Sequence, residues 1–270
     1  MDLITYDELP EWYKDNEYIK TGYRKPNNDI STCGYSILQI HNETTNIWTH
    51  LLGALEFVGL LLFTLIDDLN IFSKLALSFY CICVSTCFSL SVLHHTLLCH
   101  SHQIHKSCLL FDYLGIAFKI LGSSIVLLHG YYYEHKYLSH FCIYLGTMGM
   151  LLSVFTQQLY TDDFYLPKKR AFRAFLIGLI VAFTIIPIIH AGILLSFDSW
   201  QYLIVTLTIT SMYVSYLLGG IIYACRFPEY YIKINMFDYI GNSHNIMHVF
   251  IVFGATICYF GMRNAFQFLE

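Results

Sequence analysis

Charged residues are scarce in this sequence, at 13% of 270 positions. A soluble domain carries roughly a quarter, because its surface must face water. Most of this chain's surface therefore faces an apolar medium. Basic runs interleaved with aromatic residues are missing as well, and the net charge of −4 argues against a nucleic-acid partner. The first 40 residues are polar and contain no apolar leader core, so the first membrane span is expected to act as its own insertion signal. Long repeats and low-complexity segments are also absent. Nine cysteines make an odd count, and Cys81, Cys83, Cys87, Cys142 and Cys258 lie inside apolar runs. A reduced thiol there behaves as a small hydrophobe, so no disulfide framework is expected.

What the chain has in quantity is apolar and aromatic surface. Hydrophobic residues make up 56%, with 22 Tyr and 21 Phe, and the mean hydropathy is +0.52. A helix needs roughly 20 mostly apolar residues to cross about 30 Å of hydrocarbon. Seven runs qualify, at about 46–66, 76–97, 109–129, 138–158, 172–194, 200–223 and 242–262. Turn and breaker residues punctuate the joints, among them Asp67-Asp68, Pro167 and Phe227-Pro228. Pro187 falls inside the fifth run, where neighbouring helices can re-satisfy the freed carbonyl. The expectation is an all-α, seven-transmembrane helical bundle, a multi-pass integral membrane protein of the plasma membrane or an endomembrane. Residues 1–45 form a polar amino-terminal segment and residues 46–270 the membrane domain.

Seven spans put the termini on opposite sides, and Lys/Arg bias orients them. Lys14, Lys20, Arg24, Lys25, Lys106, Lys168, Lys169, Arg170, Arg173, Arg226 and Lys233 fall on the amino-terminal side. Only Lys74, Lys136 and Arg263 fall on the other, and Lys119 lies within a span. The amino terminus is thus expected to be cytoplasmic and the carboxyl terminus extracytoplasmic. Lys168-Lys169-Arg170 reads as part of this topology signal. Tyr131-Tyr132-Tyr133 reads as an interfacial aromatic belt.

Ionisable groups inside membrane helices are costly and point to function. Threading the topology places His95 at the cytoplasmic end of the second span, Asp112 at the start of the third, and His244 and His248 at the start of the seventh. Three distant segments thus meet at one depth. His244 and His248 are spaced i, i+4, which puts both imidazoles on one helical face. Three neutral imidazoles with one open position form the ligand set of a catalytic zinc site. Asp112 could bond a water there and act as general base, and Ser91, one turn before His95, could donate to a developing oxyanion. Imidazoles also suit iron, copper and nickel. The bland alternative is a set of buried histidines bonding across helices.

Further motifs carry a resemblance. They are Gly22-Tyr23-Arg24, His41-Asn42-Glu43-Thr44, Asn46-Ile47-Trp48-Thr49-His50-Leu51-Leu52-Gly53, Ser91-x-x-x-His95-Thr96 and Cys99-His100-Ser101. Asp112-Tyr113-x-Gly115-Ile116-Ala117, Arg226-Phe227-Pro228-Glu229 and Ser243-His244-x-x-x-His248-Val249 continue the series. In this order they resemble the progestin and adipoQ receptor family, which includes adiponectin receptors and hemolysin III-like proteins. The resemblance implies seven helices, zinc held by His95, His244 and His248, and Asp112 contacting the metal through water. It leaves three roles open: a ceramidase-like hydrolase of a membrane lipid amide, a signalling receptor for a lipid or protein ligand with structural zinc, and a regulator of zinc or lipid homeostasis. Short loops offer little surface for a protein hormone and favour the enzyme.

Two charges depart from the family pattern. Glu56 and Lys119 fall near the middle of the first and third spans, and an intramembrane ion pair is the leading expectation. Contact of Lys119 with a lipid's polar group is the alternative. His100, His102 and His105 read as an exposed polar loop rather than a second metal site. His94 should point about 100° away from His95. His41, Glu43 and His50 lie near the metal's depth, where packing and support of the ligands are equally open.

Overall fold

The computed structural model describes residues 2–269 except 134, 162–163 and 165–168, so Pro167 and Lys168 lie outside the described residues. A two-strand ladder, β1 (Leu3–Ile4) with β2 (Tyr23–Arg24), and a short helix α1 (Ile30–Tyr35) precede the bundle. The bundle comprises α2 (Thr44–Ile66), α3 (Ile71–Leu97), α4 (His102–Tyr132), α5 (Leu138–Gln158), α6 (Arg170–Ala182), α7 (Ile185–Leu195), α8 (Trp200–Cys225) and α9 (Ser243–Leu269). Seven helices are long and apolar enough to cross a membrane, with α6 and α7 forming one span over Ala171–Leu195. The protein is a seven-transmembrane, all-α bundle.

Local chemistry sets the helix ends. Asn70 accepts from Phe72 and Ser73 N–H to start α3, and Ser199 accepts from Tyr202 N–H to start α8. The break between α6 and α7 follows from Pro187, which has no N–H for the Phe183 carbonyl. Ile186 N–H takes that carbonyl instead, at 3.1 Å. Helix α4 starts earlier than the apolar run alone predicts, because Ser101 caps it. His102 and His105 therefore lie in its first turns rather than in an exposed loop.

Packing places α9 centrally, against α2, α3, α4 and α8, while α5 leans chiefly on α4. Phe57, Tyr80, Phe88, Tyr131, Tyr259 and Phe266 form the largest fully buried side chains of the shared core. The aromatic belt expected at 131–133 is corrected here. Tyr131 and Tyr132 are buried, their hydroxyls bonded to Thr206 Oγ1 at 2.7 Å and to the Pro187 carbonyl at 3.0 Å; only Tyr133 is exposed. Because α4 continues to Tyr132, these rings turn inward. Outward faces are apolar throughout, with Leu62, Ile66, Ile143, Ile193 and Leu217 more than half exposed.

Helices α3 and α4 come unusually close. A Cβ on Gly115 would stand 3.0 Å from Cys87 Cα, and one on Gly122 would stand 2.8 Å from Cys83 Cβ. Small residues at a membrane helix interface permit such backbone approach. Asp112, one turn before Gly115, is thereby carried up to α3.

The amino-terminal segment packs onto one end of the bundle. Leu9, Tyr13, Ile19 and Tyr23 cluster with Cys33, Leu98 and Cys99. Asp238 accepts from the Lys20 and Thr21 backbone N–H at 2.9 and 3.0 Å, pinning the segment to the chain before α9. At its centre, Arg24 is fully buried and donates to the His95 carbonyl at 2.5 Å, the Thr96 carbonyl at 2.9 Å and Ser36 Oγ at 2.6 Å. The last carbonyls of α3 are thus satisfied from outside the helix. Arg24→Met is expected to cost roughly 3 kcal/mol or more, from two or three lost charged hydrogen bonds. Thermal unfolding in detergent reads this as a clear drop in Tm; an unchanged Tm would show that the cap is dispensable.

Candidate metal centre

Two helix ends deliver the three histidines. His95 comes from the last turn of α3, where Arg24 holds its carbonyl. His244 and His248 come from the first turns of α9. Asn242 starts that helix by accepting from His244 and Asn245 N–H, both at 3.1 Å. Glu229 accepts from Ser243 N–H at 2.7 Å and from its hydroxyl, fixing the chain just ahead. Asn245 Nδ2 then donates to Asn46 Oδ1 at 2.7 Å, locking α9 to α2. One donor atom each from His95, His244 and His248 lies within 4.8 Å of the others. Among the described residues this is the only group of three or more metal-type donors that converges.

Ring orientation suits a metal. His95 Nδ1 lies 2.7 Å from Glu43 Oε2, so Nδ1–H donates to the carboxylate and Nε2 keeps its lone pair. That Nε2 is buried without a hydrogen-bond partner. A buried polar atom left bare costs free energy, and a metal ion would satisfy it. His248 Nδ1 lies 3.3 Å from the Asn46 carbonyl, which again assigns the proton to Nδ1 and frees Nε2. The three residues fit a metal held by imidazole nitrogens, and the carboxylate–imidazole pairing is the usual support for one.

Glu43 is one of three residues, with His41 and His50, whose role the sequence leaves open. It also accepts from Asn46 Nδ2 at 2.7 Å and from Asn42 Nδ2 at 3.2 Å. Burial would push its carboxyl up, but the His95 bond, the Asn46 bond and the Arg24 charge outweigh that and hold it well below the usual range. It therefore stays ionised at neutral pH. Glu43→Gln is expected to weaken metal binding 10- to 100-fold, as loss of such a partner typically does. Competition with a chelator of known affinity measures it, and an unchanged dissociation constant would remove Glu43 from the site.

Asp112 and Ser91 sit beside the trio. Both line the same cavity of about 1350 Å³. The Ser91 hydroxyl is within bonding reach of the Asp112 carboxylate, and His95 lies nearby. Asp112 is not one of the three converging donors. His50 stacks flat on His248, ring centroids 3.6 Å apart, and touches Phe88 on its other flank. His41 turns away: its Nε2 lies 3.1 Å from the Ser36 carbonyl, and burial with the nearby Arg24 charge lowers it to about 4. His94 lies against both His95 and His105, ring centroids 5.0 and 5.5 Å apart, but is not one of the three converging donors, and His100 Nδ1 contacts Ser101 Oγ at 3.1 Å.

The expected Glu56–Lys119 pair does not form. Glu56 Oε1 instead accepts from Thr256 Oγ1 at 2.7 Å, and Lys119 Nζ lies over the Tyr216 ring. Glu56 faces α9, whereas Lys119 faces α8.

A model of the haemolysin-III-related family matches residues 38–260, from the approach to α2 into α9. The chain belongs to that family. Within it, the chain is 34% identical over 265 residues to the ADIPOR-like receptor IZH1 of Eremothecium gossypii, covering 96% of this chain and 82% of that protein. It is 34% identical over 269 residues to heptahelical transmembrane protein 1 of Arabidopsis thaliana, covering 96% and 79%. Identity to the adiponectin receptor protein of Drosophila melanogaster is 33% over 270 residues, 96% of this chain but only 58% of that receptor. The haemolysin-III-related match includes all three histidines, Glu43, Ser91 and Asp112.

Proposed function

We propose that the chain is a zinc-dependent intramembrane hydrolase acting on a lipid amide such as ceramide. The observation that carries this reading is the bare, buried Nε2 of His95, aimed at His244 and His248 beside a cavity large enough for a lipid. His95, His244 and His248 would hold the zinc, which supplies a Lewis acid that polarises a carbonyl and acidifies water. The remaining chemistry belongs to the chain. Asp112 accepts a proton from the attacking water as the new C–O bond forms, and returns it to the amine as the C–N bond breaks. Ser91 faces that carboxylate, so it orients Asp112 rather than serving as an oxyanion donor. Apolar walls from α6, α7 and α8 exclude bulk water from the amide.

Purified protein in lipid nanodiscs, assayed for ceramide hydrolysis before and after chelation, tests this reading. Turnover lost on chelation and restored by zinc is the expected result. Zinc-loaded protein inactive on ceramides of several chain lengths would overturn it. That outcome would favour the second reading, a receptor with structural metal, which rests on the word receptor in the relatives' names.

A further inference from the structure

Away from the cavity, two thiols meet where the amino-terminal segment closes on the end of α3. Cys33 Sγ lies 3.5 Å from Cys99 Sγ, and both residues are fully buried. Cys33 is the only buried residue of α1, so the short helix turns one side chain inward, onto the turn between α3 and α4. Polar atoms flank the pair. Asn27 Oδ1 lies 3.6 Å from Cys33 Sγ, and the Thr96 carbonyl lies 4.0 Å from Cys99 Sγ. The Cys33 hydrogen bond, with the Arg24 charge, outweighs burial and lowers the Cys99 thiol, which favours the reactive thiolate.

The surrounding bonds hold the two sulfurs together. Ser36 Oγ donates to the Cys33 carbonyl and accepts from Arg24, each at 2.6 Å. Asn28 N–H donates to the His100 carbonyl at 3.1 Å, tying the approach to α1 to the residue after Cys99. A disulfide needs its sulfurs about 2.05 Å apart, so closure takes about 1.5 Å of movement. A helix of six residues can absorb that shift. So short a helix also has little stability of its own, and its local opening admits a small oxidant. The new bond would close a loop 66 residues long that contains α2 and α3.

We propose that Cys33 and Cys99 form a reversible redox site, in which hydrogen peroxide oxidises Cys99, Cys33 resolves it, and the disulfide ties α1 to the end of α3. Cys99 sulfur attacks one peroxide oxygen, the O–O bond breaks, and water leaves a sulfenic acid behind. Cys33 sulfur then attacks the sulfenic sulfur, the S–O bond breaks, and a second water leaves. The two thiols lose two electrons and two protons, and one peroxide becomes two waters. Two equivalents of a small thiol such as glutathione reverse the bond by exchange.

Peptide mass spectrometry of the chain in phosphatidylcholine nanodiscs tests the proposal, after hydrogen peroxide, an iodoacetamide quench and digestion without reductant. A linked Cys33–Cys99 peptide is expected in most of the protein, and glutathione should remove it. The linked form should melt several degrees above the reduced form, because the bond restricts the unfolded chain. In Cys33→Ser, dimedone should trap a sulfenic acid on Cys99; in Cys99→Ser, Cys33 should stay a thiol. An unlinked pair, after an exposure that oxidises the exposed Cys225, would overturn the site and leave two thiols packed as small hydrophobes. A link that forms only once the protein is unfolded would overturn it equally. Sulfenic acid on Cys33 but not on Cys99 would contradict the assignment of Cys99 as the attacking thiol. The linkage is read without turnover or bound metal, so it stands or falls apart from the hydrolase reading.

Discussion

Asp112→Asn is expected to cut lipid-amide turnover roughly 10²- to 10⁴-fold, the usual range for a removed general acid–base. Bound metal and Tm should stay as in wild type. The side chain keeps its shape, and the three donors that converge are imidazoles, not Asp112. The close approach of α3 and α4 runs through Gly115 and Gly122, and the amide oxygen of Asn can still accept from Ser91. What the amide loses is the capacity to hold a proton between water attack and amine departure. Rates on ceramide, with metal content assayed on the same sample, check this. If turnover persisted within a few-fold, the proton would have to travel by another group. If metal were lost too, Asp112 would be a ligand and the three-donor site would be incomplete as described.

His248→Ala is expected to abolish stoichiometric metal binding, a larger loss than the 10- to 100-fold that a supporting partner gives. It removes one of three donors and opens a cavity against His50, which stacks on it at 3.6 Å. Stability should therefore also fall, by roughly 1–3 kcal/mol for lost packing. His50→Phe provides the contrast. It fills the same layer without offering a nitrogen, so Tm should hold and metal should be retained. Elemental analysis of both variants distinguishes the two contributions. Full metal occupancy in His248→Ala would contradict the ligand assignment.

The seven spans were legible because length and apolarity suffice to mark them, and no soluble alternative competes at this charge density. The histidine trio was legible for a different reason: topology brings two separate segments to one depth, and the i, i+4 pair fixes a common face. Supports of the trio were harder to read. Glu43 and Asn46 lie before and at the start of α2, and their work depends on the amino-terminal segment folding down onto α3 and α9. Arg24, whose family motif was visible, showed no sign in the sequence of being fully buried against two α3 carbonyls. Opposite charges misled at Glu56 and Lys119, because sequence gives their depth but not the rotation of α2 and α4. The tyrosines at 131–132 misled similarly, since an interface belt and a buried helix end share one composition.

Zinc K-edge absorption spectroscopy, combined with elemental analysis of protein purified without added metal, tests the centre most directly. About one zinc per chain, in an environment of nitrogen and oxygen with imidazole scattering and no sulfur, is the predicted result. Metal-free protein that stays folded, or a sulfur-containing shell, would contradict a centre built from His95, His244 and His248.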